Sequence, residues 1–154
     1  MTRPSRRGFT LIELMVVVVI MGILASVAVL KYIDLTDKAR TAKIAEEINA
    51  IRLAAYNHWA DSSSHAVEKG AGIMPPEFRP WLGPTYSFDH TSEGYVLDWD
   101  NFGAGGGGYQ VGVTVTAVTP RMERALARIF TSQYPFFRAG NSLTYVIVGP
   151  DGTM

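Results

Sequence analysis

The sequence predicts an α+β fold in which one long N-terminal α-helix packs on a small antiparallel β-sheet of about three strands. Three observations lead to this prediction. Between Phe9 and Leu30 the only ionisable side chain is Glu13, so the chain begins with an apolar stretch of membrane-spanning length. No proline or glycine interrupts residues 24–63. The last part of the chain alternates between apolar and polar residues, as half-buried strands do.

The apolar segment 9–30 is long enough to cross a membrane. At about 1.5 Å per residue, a helix of roughly twenty residues spans about 30 Å, the thickness of the hydrocarbon core. The flank before it carries three arginines and no acidic residue, which predicts a cytoplasmic start and an external location for the chain after Lys31. The alternative is a secretory signal peptide cleaved after Ala28. The length of the apolar run and the carboxylate of Glu13 inside it count against that alternative.

The residues at the start of this segment resemble a known family. The hexapeptide Gly-Phe-Thr-Leu-Ile-Glu at residues 8–13, with the apolar run that follows, is similar to the N-terminus of type IV pilins and of type II secretion pseudopilins. The resemblance is close over roughly residues 1–55. It implies a pilin-like fold, cleavage after Gly8 by a prepilin peptidase, N-methylation of the new Phe9 amine, and a role in assembly for Glu13.

A carboxylate just inside an apolar segment requires a partner. Cleavage after Gly8 would create a positive amine at Phe9, four residues before Glu13, and the carboxylate also lies near the positive end of the helix dipole. In a bundle of parallel copies, Glu13 could instead meet the amine of a neighbour and so set the register of assembly. An interfacial glutamate that reaches water is the alternative interpretation.

The chain after the membrane segment predicts a continued helix and one small globular part. Helical spacing of apolar residues favours one continuous helix from about residue 9 to about residue 60, whose apolar stripe packs on the sheet. The residues of this stripe are Ile44, Ile48, Ile51, Ala55 and Trp59. The domains are therefore a leader at 1–8, a membrane or filament-core helix at 9–30, its amphipathic continuation at 31–61, and a globular part at 62–154.

The globular part is expected to begin with a loop and to continue with strands. Prolines and glycines in residues 65–93 predict a connecting loop with one short helical turn. Alternating patterns near residues 95–100, 111–117 and 143–147 predict three antiparallel strands. A short helix is expected at about 120–131, opened by a proline and capped by Thr119.

No catalytic site can be assembled from residue spacing. The glycine-rich segment 103–108 lacks the lysine and hydroxyl residue of a phosphate-binding loop, and no Gly-x-Ser-x-Gly elbow is present. The three histidines lack metal-ligand spacing. We therefore expect no enzyme, no cofactor and no metal. Asp98, Asp100 and Asn101 remain candidate ligands for a calcium ion, without the pattern of an EF-hand.

The combined expectation is a structural subunit of a pilus-like filament. The lack of cysteine and the small globular part favour a type II secretion pseudopilin over a major or minor type IV pilin that serves adhesion, motility or DNA uptake. The expected partners are pilin-like subunits, a prepilin peptidase, an inner-membrane assembly platform, and membrane lipid before assembly. The expected location is the inner membrane, with the globular part in the periplasm or outside the cell, and then a pseudopilus or surface filament.

Two other function classes stay open. A membrane-anchored periplasmic enzyme or binding module would need a polar pocket. DNA capture would need a basic patch, yet removal of the leader takes the 14 basic residues to 11 against 14 acidic ones, so nucleic acid is not expected. The candidates for such a patch are Arg121, Arg124, Arg128 and Arg138.

Overall fold

A computed structural model describes residues 8–101, 110–129 and 136–149. Within these ranges the helices are α1 (Leu11–Ser62), α2 (Arg79–Leu82) and α3 (Pro120–Ile129), with 3₁₀ turns at Pro76–Phe78 and Thr91–Glu93. The strands are β1 (Asp89–His90), β2 (Tyr95–Asn101), β3 (Val111–Ala117), β4 (Phe136–Ala139) and β5 (Ser142–Val148).

The chain divides into two compact units, and the boundary falls within α1. The first unit ends at Lys38 and the second begins at Ala39. In the first unit, every side chain from Phe9 to Leu30 is exposed. Within the described ranges, α1 is the one helix that is long and apolar enough to cross a membrane.

In the second unit, one stripe of α1 faces the hydrophobic core and confirms the predicted packing of this helix on the sheet. Its spacing of three and four residues places the buried side chains on one face. Trp59, which was predicted to join this stripe, is 42% exposed. It lies fifteen residues after Ile44, and an α-helix turns the two positions about 60° apart over that distance. The buried stripe includes Thr41, Ile44, Ile48, Ile51 and Ala55, and Glu47 and Ala54 beside it are also buried.

Among the described residues, the antiparallel sheet has five strands in the order β1-β2-β3-β5-β4, so the prediction of about three strands was wrong in number. The three predicted strands are β2, β3 and β5. The two additional strands lie at the edges and are two and four residues long, too short for an alternating pattern. They are strands because they pair with longer neighbours, as Phe136 does with Tyr145.

The loop after α1 contains the predicted short helical turn and packs along β2. The indole of Trp99 donates a hydrogen bond of 2.9 Å to the carbonyl of Ala66, and its ring meets Phe78 edge to face at 4.8 Å. Gly72 has a φ of +81° and donates its backbone N–H to the carbonyl of Leu97 at 2.8 Å. These contacts explain why Trp99 is fully buried although the loop is rich in proline and glycine.

Helix α3 confirms the predicted short helix over Pro120–Ile129. The hydroxyl of Thr119 accepts a hydrogen bond from the N–H of Met122 at 3.3 Å, as the predicted cap requires. Met122 and Leu126 are buried in the same core as the α1 stripe. Residues 130–131, at the end of the predicted helix, and the glycine-rich segment 103–108 lie outside the described residues.

We predict that Ile51→Ala lowers the free energy of unfolding of the second unit by about 2–5 kcal/mol, because it removes a fully buried side chain from the α1 stripe. Leu53→Ala, on the same helix but at a position that is 60% exposed, is expected to change it by less than about 0.5 kcal/mol. Denaturation of the full chain in detergent, followed by tryptophan fluorescence, measures both. All three tryptophans lie after Lys38 and report on this unit. Equal effects of the two changes would contradict the prediction.

Candidate assembly site

The first turn of α1 is closed by a reciprocal pair of hydrogen bonds between Thr10 and Glu13. The backbone N–H and the hydroxyl of Thr10 each donate to Oε2 of Glu13 at 2.8 Å. In return, the N–H of Glu13 donates to the hydroxyl of Thr10 at 3.3 Å. The carbonyl of Thr10 accepts the first helical bond, from Leu14 at 3.3 Å. This arrangement is a capping box.

The capping box gives Glu13 a partner within its own helix, which the sequence reasoning had not considered. The Thr-x-x-Glu spacing before an apolar run was the signal that could have identified it. The carboxylate is therefore hydrogen-bonded even without a free amine at Phe9. Both bonds from Thr10 go to Oε2, so Oε1 is the carboxylate oxygen that an amine could approach without displacing Thr10.

Gly8 and Phe9 lie before the first turn of α1, in an exposed stretch. A Cβ added to Gly8 would have no described atom within 4 Å. A side chain at this position would therefore meet none of the described residues.

Apolar side chains line two shallow grooves on the surface of α1 beside the capping box. One groove is formed by Leu11, Leu14, Met15, Val18 and Val19. Glu13 is one of the residues of the other groove, so the one ionisable residue of segment 9–30 stands beside an apolar surface. The residues of this second groove are Phe9, Ile12, Glu13, Val16 and Val17.

A cluster of ion pairs and hydrogen bonds connects Lys43 and Glu47 of α1 to Glu93 and Tyr95 in the second unit. Nζ of Lys43 lies 2.6 Å and 2.7 Å from the two carboxylate oxygens of Glu93, and the hydroxyl of Tyr95 donates to Oε2 of Glu47 at 2.7 Å. The bond with Glu93 raises the pKa of Lys43, and the same bond lowers the pKa of Glu93. Burial raises the pKa of Tyr95. His90 stacks on Tyr95 at 4.8 Å between ring centres.

The two parts of this cluster differ in strength. Lys43 and Glu93 have side chains that are 42% and 38% exposed, so solvent limits the contribution of their pair to about 0–1 kcal/mol. Glu47 is 9% exposed, and its hydrogen bond from Tyr95 is buried. Loss of this donor would leave the buried carboxylate with only the more distant contacts of its Oε1, to Nζ of Lys43 at 3.7 Å and to Nε2 of His90 at 3.4 Å. The cluster therefore holds α1 in one position on the sheet and offers no open binding site.

The three candidate calcium ligands do not share a face of the sheet. Because side chains alternate along a strand, Asp98 and Asp100 lie on one face of β2 and Asn101 on the other. Asp100 accepts a hydrogen bond from the hydroxyl of Thr114. The amide of Asn101 donates to the carbonyl of Ala66 at 2.9 Å, on the side of the core. In the described part of the chain, no group of three or more histidine, cysteine, aspartate or glutamate side chains could hold a metal ion.

Asp98 is a destabilised carboxylate on the outer face of the sheet. Its Oδ1 is buried and has no hydrogen-bond partner among the described residues. Burial, with a smaller contribution from the nearby charge of Asp100, raises the pKa of Asp98 to about 6. The ionised form of Asp98 therefore opposes folding at neutral pH.

The end of α1 brings a serine and a histidine together, which residue spacing had not revealed. Oγ of Ser62 lies 3.3 Å from Nε2 of His58, but the hydroxyl also donates to the carbonyl of His58 at 2.7 Å. A hydroxyl that donates to a carbonyl of its own helix is not activated as a nucleophile. This contact closes the helix end.

Comparison with known proteins identifies the family. The model described as the prokaryotic N-terminal methylation motif matches residues 3–29. A type II secretion system core protein G of Klebsiella michiganensis is 36% identical to the chain over 113 residues, which cover 72% of the chain and 76% of that relative. The chain belongs to the family of type IV pilins and type II secretion pseudopilins.

Other relatives of this pilin-like chain match it over different lengths. A type II secretion system core protein G of Dickeya chrysanthemi is 33% identical over 108 residues, or 64% of the chain and 65% of that relative. The type IV narrow pilus major component PilA5 of Thermus thermophilus is 50% identical over 48 residues, which is 31% of the chain and 41% of that relative. No solved structure matches the chain significantly.

We predict that Asp98→Asn stabilises the folded chain by about 1 kcal/mol at pH 7. The effect is smaller than the pKa shift alone would give, because Asp98 is only partly buried and solvent screens its charge. The protonated carboxyl is favoured in the folded state, so the contribution of Asp98 to stability falls as pH rises from about 4 to about 6, and the asparagine variant lacks this loss. Denaturation of both chains at pH 4 and pH 7 measures this difference. Asp61→Asn, at an exposed position, is the control. A stability difference that is the same at both pH values would refute the assignment.

Proposed function

We propose that this chain is a structural subunit of a pilus-like filament, and that the filament is the pseudopilus of a type II secretion system. The observation that carries the proposal is the exposed apolar surface of α1 in the first unit, which bears one capped carboxylate. The match to core protein G favours secretion, because it extends over 72% of the chain, whereas the match to PilA5 covers 31%. A major or minor subunit of a type IV pilus is the second candidate.

The proposed mechanism transfers α1 from one apolar environment to another. In the inner membrane, lipid surrounds the side chains of segment 9–30. In the filament, the same side chains contact the helices of neighbouring subunits. Lipid and a helix bundle are similarly apolar, so the transfer gains or loses little hydrophobic free energy. Close packing and the partner of Glu13 then decide the balance.

Glu13 has a different partner at each stage of this mechanism. In the precursor, the hydroxyl and the N–H of Thr10 satisfy its carboxylate. Cleavage after Gly8 exposes an amine at Phe9. In the filament, an amine of the same or of a neighbouring subunit pairs with the carboxylate. Two poorly solvated charges then form one ion pair. The register of the filament would follow from this pairing.

The proposed function also implies the location and the partners of the chain. The basic leader stays in the cytoplasm, α1 crosses the inner membrane, and the second unit lies in the periplasm until the subunit enters the filament. A prepilin peptidase cleaves the leader and an inner-membrane platform drives assembly. We propose no catalytic role, in keeping with a relative that is named as a major pilus component.

Gly8→Leu is expected to block removal of the leader, because a side chain would occupy the place where the peptidase contacts the glycine. Intact mass spectrometry of the chain expressed with the peptidase would then find the precursor and no chain that begins at Phe9. Gly22→Ala is the matched control, since a Cβ there also meets no described atom and cleavage should be normal. Normal cleavage of the Gly8 variant would refute the processing site.

Glu13→Ala should insert into the membrane as the unmodified chain does but enter filaments at least about tenfold less, because the pairing that favours the filament is lost. Glu13→Gln separates charge from hydrogen bonding, since it keeps an acceptor oxygen without the charge. Thr10→Val removes the cap and leaves the carboxylate, and it should weaken the helix start by about 1 kcal/mol. Quantification of sheared filaments and of membrane fractions tests all three. Normal filament yield from Glu13→Ala would count against the pairing.

A further inference from the structure

Helix α3 presents a row of arginines on its exposed side. Met122 and Leu126 bury the opposite side of this helix in the core. The arginines recur at spacings of three and four residues, which places their guanidinium groups along one side of the helix. Neither Arg124 nor Arg128 forms a hydrogen bond or an ion pair with any residue that the structure describes. The arginine face consists of Arg121, Arg124 and Arg128, all of them exposed.

Helix α3 begins at the end of the second unit where α1 enters it. Lys43, four residues after the start of this unit, pairs with Glu93. The next residue after Glu93 is Gly94, whose carbonyl accepts a hydrogen bond of 2.8 Å from the N–H of Val118. A Cβ on Gly94 would lie 3.8 Å from the Cβ of Met122 in α3. The start of α3 is therefore close to the residues that meet the first turns of α1 in this unit.

The turn between β4 and β5 lies at the same end of the unit. Strand β3 ends at Ala117, which is opposite Tyr95, the first residue of β2. Ala117 donates its N–H to the carbonyl of Asn141 in the turn at 3.0 Å. Arg138, just before the turn, lies 3.3 Å from Glu123 of α3. The middle of α3 therefore also stays near the end of the unit that α1 enters.

Charge along the chain follows the same division. Residues 31–43, which follow the apolar segment, contain four basic and two acidic residues. Residues 121–138 contain four basic residues and one acidic residue. Residues 44–120 between them contain nine acidic and three basic residues. Positive charge is thus concentrated in the part of the chain directly after the apolar segment and in the part that contains α3.

We propose that the arginine face binds the phosphate groups of anionic lipids in the membrane that holds segment 9–30. The inference rests on the membrane location in the proposed function and concerns the subunit before it enters a filament. A guanidinium group binds phosphate through a planar pair of hydrogen bonds, and an anionic membrane surface attracts basic groups. Val118, which is 49% exposed next to the start of α3, adds apolar atoms to the same contact.

The length of α1 permits this contact. Eleven residues of helix lead from Leu30, at the end of the apolar segment, to Thr41, which is fully buried in the second unit. They span about 16 Å. The headgroup layer of the membrane occupies about 5–8 Å of that length. Extended arginine side chains, and a screening length of about 10 Å at 0.1 M salt, cover the remainder.

A lipid surface fits the arginine face better than a soluble polyanion does. Three arginines make few phosphate contacts, whereas binding to nucleic acid without a specific motif depends on many. A membrane anchor in segment 9–30 keeps the second unit next to lipid, and a tethered contact needs little affinity of its own because its effective concentration is high. The acidic residues in 44–120 would also repel a nucleic acid that extends beyond the arginine face.

Energy transfer in vesicles tests the contact. The full chain with Val118→Cys is inserted into vesicles that contain phosphatidylglycerol and into vesicles of phosphatidylcholine alone. The unmodified chain has no cysteine, so a maleimide dye that cannot cross the membrane labels only this position on outward-facing second units. Transfer to a lipid with a labelled headgroup should be at least about twofold higher in the anionic vesicles, and the difference should disappear at about 0.5 M salt.

Matched variants identify the residues and the end of the unit that are responsible. Arg124→Gln with Arg128→Gln should remove at least about half of the difference between the two kinds of vesicle. Lys69→Gln with Arg79→Gln is the control, because it removes the same charge at exposed positions beside the other end of β2. A dye on Ser64→Cys, just beyond the far end of α1, should show equal transfer in both kinds of vesicle. Tryptophan fluorescence of each full chain confirms folding.

The outcomes separate this inference from the function on which it rests. If the unmodified chain does not float with the vesicles, the membrane location fails and the inference fails with it. If the chain floats but transfer is equal in anionic and neutral vesicles, or if the control pair lowers it as much as the arginine pair, only the lipid contact is overturned. If transfer ignores the lipid while the arginine pair abolishes binding of labelled duplex DNA, the face serves nucleic acid and the inference is likewise overturned.

Discussion

The structure depends on one constraint, which is that the apolar surface of α1 contains a carboxylate that must always have a partner. The exposed side chains of segment 9–30 are mostly apolar, so contact with lipid or with other apolar helices is favoured over contact with water. Neither environment solvates Glu13. The capping box with Thr10 satisfies the carboxylate within a single chain. The proposed pairing of this carboxylate with an amine would link processing, extraction from the membrane and filament register in one chemical group.

In the second unit, α1 has a different structural role. Beyond Lys38, α1 buries a stripe of aliphatic side chains against the sheet and becomes part of an ordinary hydrophobic core. The hydrogen bond between Tyr95 and Glu47 fixes its position on that sheet. The opposite face of α1 stays exposed and carries Glu46 and Leu53. Helix α1 thus provides an apolar segment of membrane-spanning length, a core element and an exposed polar face.

Much of the candidate site could be read from local sequence, and the errors have physical causes. Glu13 was identified because a lone charge in an apolar run is conspicuous, whereas its partner Thr10 was missed although both lie within one helical turn. The candidate calcium ligands are adjacent in sequence, but strand alternation places Asn101 on the opposite face from Asp98. Trp59 was assigned to the core by spacing alone, and the rotation of the helix carries it away from that face.

The sequence by itself determined the long helix, its membrane-length apolar segment, the N-terminal methylation motif and the three longer strands. Each of these is encoded by residues within a few positions of one another, where periodicity and capping act. Only the tertiary structure decided the strand order, the two short edge strands, the burial of Trp99 beneath Ala66 and the pairing of Lys43 with Glu93. Those features join residues that are far apart in the chain. A local sequence pattern cannot predict them, because it does not specify which distant residue completes a hydrogen bond or a packed core.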